Sequence, residues 1–118
     1  MAEHVVARAA ELPPGARRVV RVGRLEIGVF NVGGTLHALP NICTHQFGPL
    51  CLGHVGGTVL ARAETGYRFE WGLDGQIISC PWHGLEFDLT TGRCLAYPRV
   101  RLRTYPVRVE GEEIILTA

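Results

Sequence analysis

The chain has 118 residues, 47% hydrophobic and 19% charged, which suits one domain with its own modest core better than two. A net charge of +1, with arginines scattered rather than clustered with aromatics, lacks the electrostatic footprint of a nucleic-acid binder or of a protein held on an anionic membrane. The opening M-A-E-H-V-V-A-R-A-A-E-L-P-P-G has early acidic residues and no apolar core, and no run approaches the ~18 apolar residues of a membrane span. The expectations are no signal peptide, no membrane segment and a cytoplasmic location, where four cysteines serve as thiols or metal ligands rather than as a disulfide framework.

In chain order, residues 5–12 (V-V-A-R-A-A-E-L) have helix-forming composition, but Pro13-Pro14 cut short anything they start. Leu25, Ile27 and Val29 alternate with Glu26, Gly28 and Phe30, the period of a half-buried strand. Gly33-Gly34 supplies a hairpin turn, and residues 35–39 are the return strand. Strands are expected at residues 59–62, 67–71, 76–79 and 85–89, the last closed by T-T-G at 90–92. The tail offers strands at 105–109 and 114–117 around a turn at Glu110-Gly111. With no helical period, and with 15 glycines and 7 prolines, the chain reads as an all-β, turn-rich sandwich or barrel.

Three Cys/His pairs punctuate the loops between these strands: Cys43-Thr44-His45, Cys51-Leu52-Gly53-His54 and Cys80-Pro81-Trp82-His83. Loops on a β scaffold are where binding chemistry sits. His4, His37 and Cys94 have no nearby partner, and read as exposed imidazoles and a small buried hydrophobe. Two pairs together supply four ligands, which a single zinc ion or a [2Fe–2S] unit could take. The single residue between Cys43 and His45 is tighter than the pair spacings usual for zinc. In the first and last pairs the Cys precedes the His, a shared polarity that suits two sulfurs on one iron and two imidazoles on its neighbour.

C-T-H followed by C-P-W-H-G-L-E-F-D-L-T-T-G-R resembles the two cluster loops of Rieske [2Fe–2S] proteins. A-L-P-N-I before the first loop, and Y-P-R-V-R-L-R-T-Y-P-V-R-V at the close, are similar to the family's lead-in strand and proline-bearing cover loop. The resemblance implies a Rieske-type antiparallel β-sandwich or barrel spanning residues 1–118 as one domain, with a small cluster-binding subdomain of two loops. It implies one [2Fe–2S] cluster, Cys43 and Cys80 on one iron and His45 and His83 on the other, with Trp82, Gly84, Leu85, Phe87 and Pro98 around them. Between His45 and Cys80 lie 34 residues, a longer interval than is common in the family, and residues 52–75 read as an inserted hairpin. Cys51 and His54 lack the flanking Pro and Gly and crowd the first loop, so they read as a buried thiol beside an exposed imidazole.

High-potential respiratory members carry an extra cysteine in each loop, joined as a disulfide; Gly48 and Trp82 stand at those places here. Leu85 and Phe87 stand where such members have hydroxyl donors to the cluster sulfurs. The resemblance therefore implies a low-potential ferredoxin, not itself an enzyme, that passes single electrons from a flavin reductase to an oxygenase or related partner. A small subunit of a nitrite-reductase-like complex, or a zinc-stabilised binding module on the same ligands, remain the alternatives.

Overall fold

The computed structural model describes residues 2–42, 49–61, 69–81, 85–97 and 99–118, without the side chains of 58–61 and 69–74. The first segment departs from its composition. Residues 3–8 form strand β1 (Glu3–Arg8), followed by a short 3-10 turn at Ala9–Glu11. β1 runs antiparallel to β9 (Glu113–Thr117), with Glu3 opposite Thr117 and Arg8 opposite Glu113. Local helix propensity is a few tenths of a kcal/mol per residue, so a full ladder with a distant strand overrides it. β9 also pairs with β8 (Val107–Glu110), and Gly111 between them takes φ +62° as that tight connection requires.

β2 (Arg17–Val22), β3 (Leu25–Val32) and β4 (Thr35–Pro40) form a second antiparallel sheet in chain order. The turn at Gly33-Gly34 stands where the glycine pair indicates, both residues at positive φ. β2 has no counterpart among the sequence expectations. Its R-R-V-V-R-V pattern does not alternate cleanly, and it becomes a strand by pairing along its whole length with β3, from Arg17 opposite Phe30 to Val22 opposite Leu25.

This sheet is the middle layer, because β3 is buried from Ile27 through Phe30 and therefore has no solvent face. Ile27, Val29 and Ala38 pack with Ala7, Leu12, Tyr105, Ile114 and Leu116 in one core. Phe30 and Leu39 face the other way, into a second core with Leu50, Cys51, Ile78, Cys80, Phe87, Leu89, Cys94 and Leu102. Each fully buried side chain of this size contributes about 1.5–3 kcal/mol, so neither face is incidental. Gly28 keeps the second face close: a Cβ there would lie 2.4 Å from the Cys51 sulfur and 2.7 Å from its Cβ.

The third sheet pairs β5 (His54–Ala61), β6 (Phe69–Ser79) and β7 (Glu86–Asp88). The two expected strands at 67–71 and 76–79 are one strand over its described length, interrupted by a bulge. Pairing steps from Gly56 opposite Ile77 to Thr58 opposite Gly72, which leaves residues 73–76 of β6 facing Gly57 alone, with Gly75 at φ +77°. The described arms of the expected hairpin pair from His54 opposite Ser79 to Ala61 opposite Phe69, with residues 62–68 outside the described residues, so its base belongs to the sheet that carries the second Cys/His loop. Among the described residues no helix is long and apolar enough to cross a membrane.

Replacing Gly28 with alanine forces a methyl group into the Cys51 side chain and should destabilise the fold by about 1–3 kcal/mol in urea denaturation. The double variant Gly28→Ala, Cys51→Ala should lose clearly less than the sum of the single changes, since each relieves the other's contact.

Candidate metal centre

The second loop is a hairpin connection whose last rung is Cys80. Ile77, Ile78 and Ser79 pair with Asp88, Phe87 and Glu86, and the Cys80 N–H continues the ladder by donating to the Leu85 carbonyl at 2.9 Å. Only Pro81 to Gly84 lie between those two residues. Strand alternation turns Ile78 and Cys80 to one face, and both are buried in the second core, the thiol-bearing residue 2% exposed. Leu85 is half-buried against that core and Phe87 is fully buried within it. Trp82, His83 and Gly84 lie outside the described residues.

The first loop is closed by a side chain. Asn41, the buried polar residue of the described core, donates its N–H to the Glu26 carbonyl at 2.8 Å, and its Oδ1 accepts the Cys51 N–H at 2.7 Å. A 3-10 turn at Leu50–Leu52 follows, ended by the Gly53 N–H donating to the Leu50 carbonyl at 2.9 Å. Asn41 and Cys51 thus hold the two ends of the stretch that contains Cys43 and His45, which themselves lie outside the described residues.

The two loop bases meet at Gly53. A Cβ on Gly53 would stand 1.9 Å from the Ser79 carbonyl oxygen, so only glycine lets the exit of the first loop lie against the end of β6. One residue on, His54 pairs with Ser79. The Arg17 guanidinium donates to the Gly53 carbonyl and ties the junction to β2. A third loop flanks β7: the Cys94 N–H donates to Val100, Leu95 to Glu86 and Leu102 to Gly92, at 2.9, 3.0 and 2.8 Å. Pro98, outside the described residues, falls within the stretch closed by the first of these bonds.

The remaining candidates separate as chemistry predicts. Cys51 is fully buried, its sulfur 3.7 and 3.6 Å from the Leu39 and Pro40 carbonyls, and burial pushes its thiol up to about 12. His54 is exposed on β5, so the two side chains of this pair do not converge. Cys94 is fully buried in the second core. His4 and His37 differ from expectation: both sit in strands and are half-buried rather than exposed in loops, because β1 and β4 are packed elements. Burial holds the His37 pKa below its ordinary value, with the Asp88 charge opposing. No cluster of three or more metal-ligating side chains occurs among the described residues.

Sequence reasoning passed over Asn41, Gly53 and Asp88. The Asp88 carboxylate accepts the Thr90 N–H at 2.8 Å and its hydroxyl at 2.6 Å, and receives Gln76 Nε2 at 3.1 Å, fixing the strand that leaves the second loop. The D-x-T spacing is a local signal for such a turn. Asn41 and Gly53 act on partners far along the chain and carry no comparable signal.

A buried cysteine on the last rung of a hairpin, beside the exit of a second Cys/His loop, fits a thiolate donor to a metal group held between the two loops. The family model described as the Rieske [2Fe-2S] domain matches residues 2–106. The naphthalene 1,2-dioxygenase system ferredoxin component of Pseudomonas aeruginosa is 33% identical over 107 residues, covering 90% of this chain and 86% of that protein. The ferredoxin of carbazole 1,9a-dioxygenase from Nocardioides aromaticivorans IC177 superposes with a TM-score of 0.73 at 30% identity, over 98% of this chain and 97% of its own. A chain in a complex of reduced oxygenase and oxidized ferredoxin in carbazole 1,9a-dioxygenase matches with a TM-score of 0.73 at 29% identity, over 97% and 91%.

The Cys51 thiol gives a pH signature. Its folded-state pKa lies above the ordinary value of 9.0, so its contribution to stability is full below pH 9 and is lost as the pH climbs toward about 12. The expected slope is about 1.4 kcal/mol per pH unit in that window. Cys51→Ala should remove this component from the alkaline fall in urea stability, and an unchanged slope would contradict the burial assignment.

Proposed function

This chain belongs to the Rieske [2Fe–2S] family, and we propose that it is a single-domain, low-potential ferredoxin that accepts one electron at a time from a flavin reductase and delivers it to an oxygenase. The carrying observation is the meeting of the two loop bases at Gly53 and Ser79, in a chain similar over nearly its whole length to ferredoxin components of dioxygenase systems. One [2Fe–2S] cluster, when bound, supplies a reversible one-electron couple. Cys43 and Cys80 would hold one iron and His45 and His83 the other. Catalysis belongs to the oxygenase partner, and the pair of proteins works in the cytoplasm.

The chain's own residues set the working potential. In the sequence Trp82 stands where high-potential members carry a second loop cysteine. Leu85 and Phe87 offer no hydroxyl to the cluster sulfurs, and both face the apolar second core. Extra negative charge on reduction is therefore poorly compensated, which lowers the potential. Ile42, Leu52 and Tyr97 are 46%, 63% and 61% exposed, and neighbour in sequence the first loop's entry, its exit and Pro98. Exposed apolar side chains of this kind suit a transient protein encounter.

Anaerobically purified protein should contain two irons and two sulfides per chain, and its reduced form should give the EPR signal of mixed Cys/His ligation. Single changes at Cys43, His45, Cys80 or His83 should abolish that signal. The double variant Cys51→Ala, His54→Ala should retain it, and iron loss from that variant would overturn the ligand assignment. Reduced protein should be reoxidised on mixing with a ring-hydroxylating oxygenase in the presence of its substrate.

Potentiometry should place the midpoint near the bottom of the range of about −150 to +300 mV seen for this ligation. Leu85→Ser and Phe87→Tyr, singly and together, should move it upward by restoring donors. A wild-type midpoint above about +100 mV would refute the low-potential reading.

A further inference from the structure

A cavity of about 410 Å³ opens between the start of β2, the end of β3 and the base of the hairpin. Its lip is pinned: the Gly15 N–H donates to the Asn31 carbonyl at 2.9 Å, the Asn31 N–H to the Ala16 carbonyl at 3.0 Å, and Asn31 Nδ2 to the Leu12 carbonyl at 2.8 Å. Phe30 and Leu89, both buried, form part of its lining, and the half-buried Ala16, Val32 and Val55 complete an apolar wall. Three side chains bring other chemistry, Arg17, His54 and the lip residue Asn31, and among the described residues no carboxylate lines the space.

Arg17 is oriented before any ligand arrives, because one guanidinium nitrogen donates to the Gly53 carbonyl. It makes no ion pair with a described residue. A guanidinium fork matches the two oxygens of a carboxylate, and the adjacent imidazole adds a further hydrogen-bonding group. The volume falls within the about 300–1,000 Å³ typical of small-ligand sites. One fixed cation set in an apolar wall selects a monoanion with an apolar body over a bare hydrated ion.

We propose that this cleft is a binding site for a small organic monocarboxylate, with Arg17 holding the carboxylate, His54 beside it and the apolar body lying against Val32 and Val55. None of the described lining residues belongs to the two loops, although Arg17 reaches the same Gly53 at which the loop bases meet.

Calorimetric titration of the cluster-loaded protein with benzoate tests this. Benzoate should bind one to one, with saturable amide shifts at Ala16, Val32 and Gly75. Benzyl alcohol, which keeps the ring without the charge, should bind at least about tenfold more weakly, as should acetate, which keeps the charge without the ring. Arg17→Gln should lose about tenfold in benzoate affinity, and His54→Gln a smaller factor. Absence of saturable binding at millimolar benzoate, equal binding of either control ligand, or an Arg17→Gln protein that folds and binds as wild type would each overturn the proposal. Should Arg17→Gln fail to fold, the comparison of the three ligands on the wild-type protein decides alone.

Discussion

The contact between Cys51 and Gly28 holds the loop-bearing half of the molecule on the middle sheet. The Cys51 sulfur occupies the volume that any side chain at position 28 would need, and it lies near the Leu39 and Pro40 carbonyls of β4. Its backbone N–H is taken by Asn41. One residue thereby touches β3 and β4 and the closing side chain of the first loop. Two positions later, Gly53 lies against Ser79, which passes the same constraint to the second loop. A chain of two close approaches, each permitted by a glycine, sets where the two loops stand.

This arrangement separates rigidity from chemistry. The described ends of both loops are fixed by hydrogen bonds that use backbone groups or a buried amide. A carrier whose charge changes by one on each cycle benefits from such a frame, since dipoles and donors that are already oriented need not rearrange when the electron arrives. Exposed ion pairs do little of this work. Arg108 with Glu3 and Glu110, and Arg8 with Glu112, lie at the surface, where water and salt screen such pairs. The two cores on either side of β3 supply the stability.

Legibility in the sequence followed the range of the interaction. The hairpin at Gly33-Gly34, the turn at Gly111 and the Cys/His loops are patterns within a few residues, and they could be read directly. The family could be read because the stretches that resemble it, C-T-H and C-P-W-H-G-L-E-F-D, are local patterns too. β1 and β2 could not, since a segment rich in alanine and one with irregular charge become strands only when β9 and β3 lie beside them. Asn41 and Gly53 looked like an ordinary polar residue and a loop glycine. Their roles arise from partners 10 and 26 positions away. The half-buried state of His37 has the same origin, in the packing around β4.

The inserted hairpin shows why added chain need not disturb such a site. Rungs His54–Ser79, Val55–Ile78 and Gly56–Ile77 share their register with the pairing of β6 to β7, so the base is locked from both sides. Beyond Gly56 the register shifts, and residues 73–76 absorb the difference in a bulge that Gly75 makes possible with its positive φ. A change of length further out alters pairing on the far side of the bulge and leaves the three base rungs where they were. Lengthening a loop costs only about 0.6 kcal/mol per doubling, so the entropic penalty is small as well. Because Ser79 is the last of those rungs and Cys80 follows it, the register that shields the base from the insertion is also the register that positions the buried cysteine.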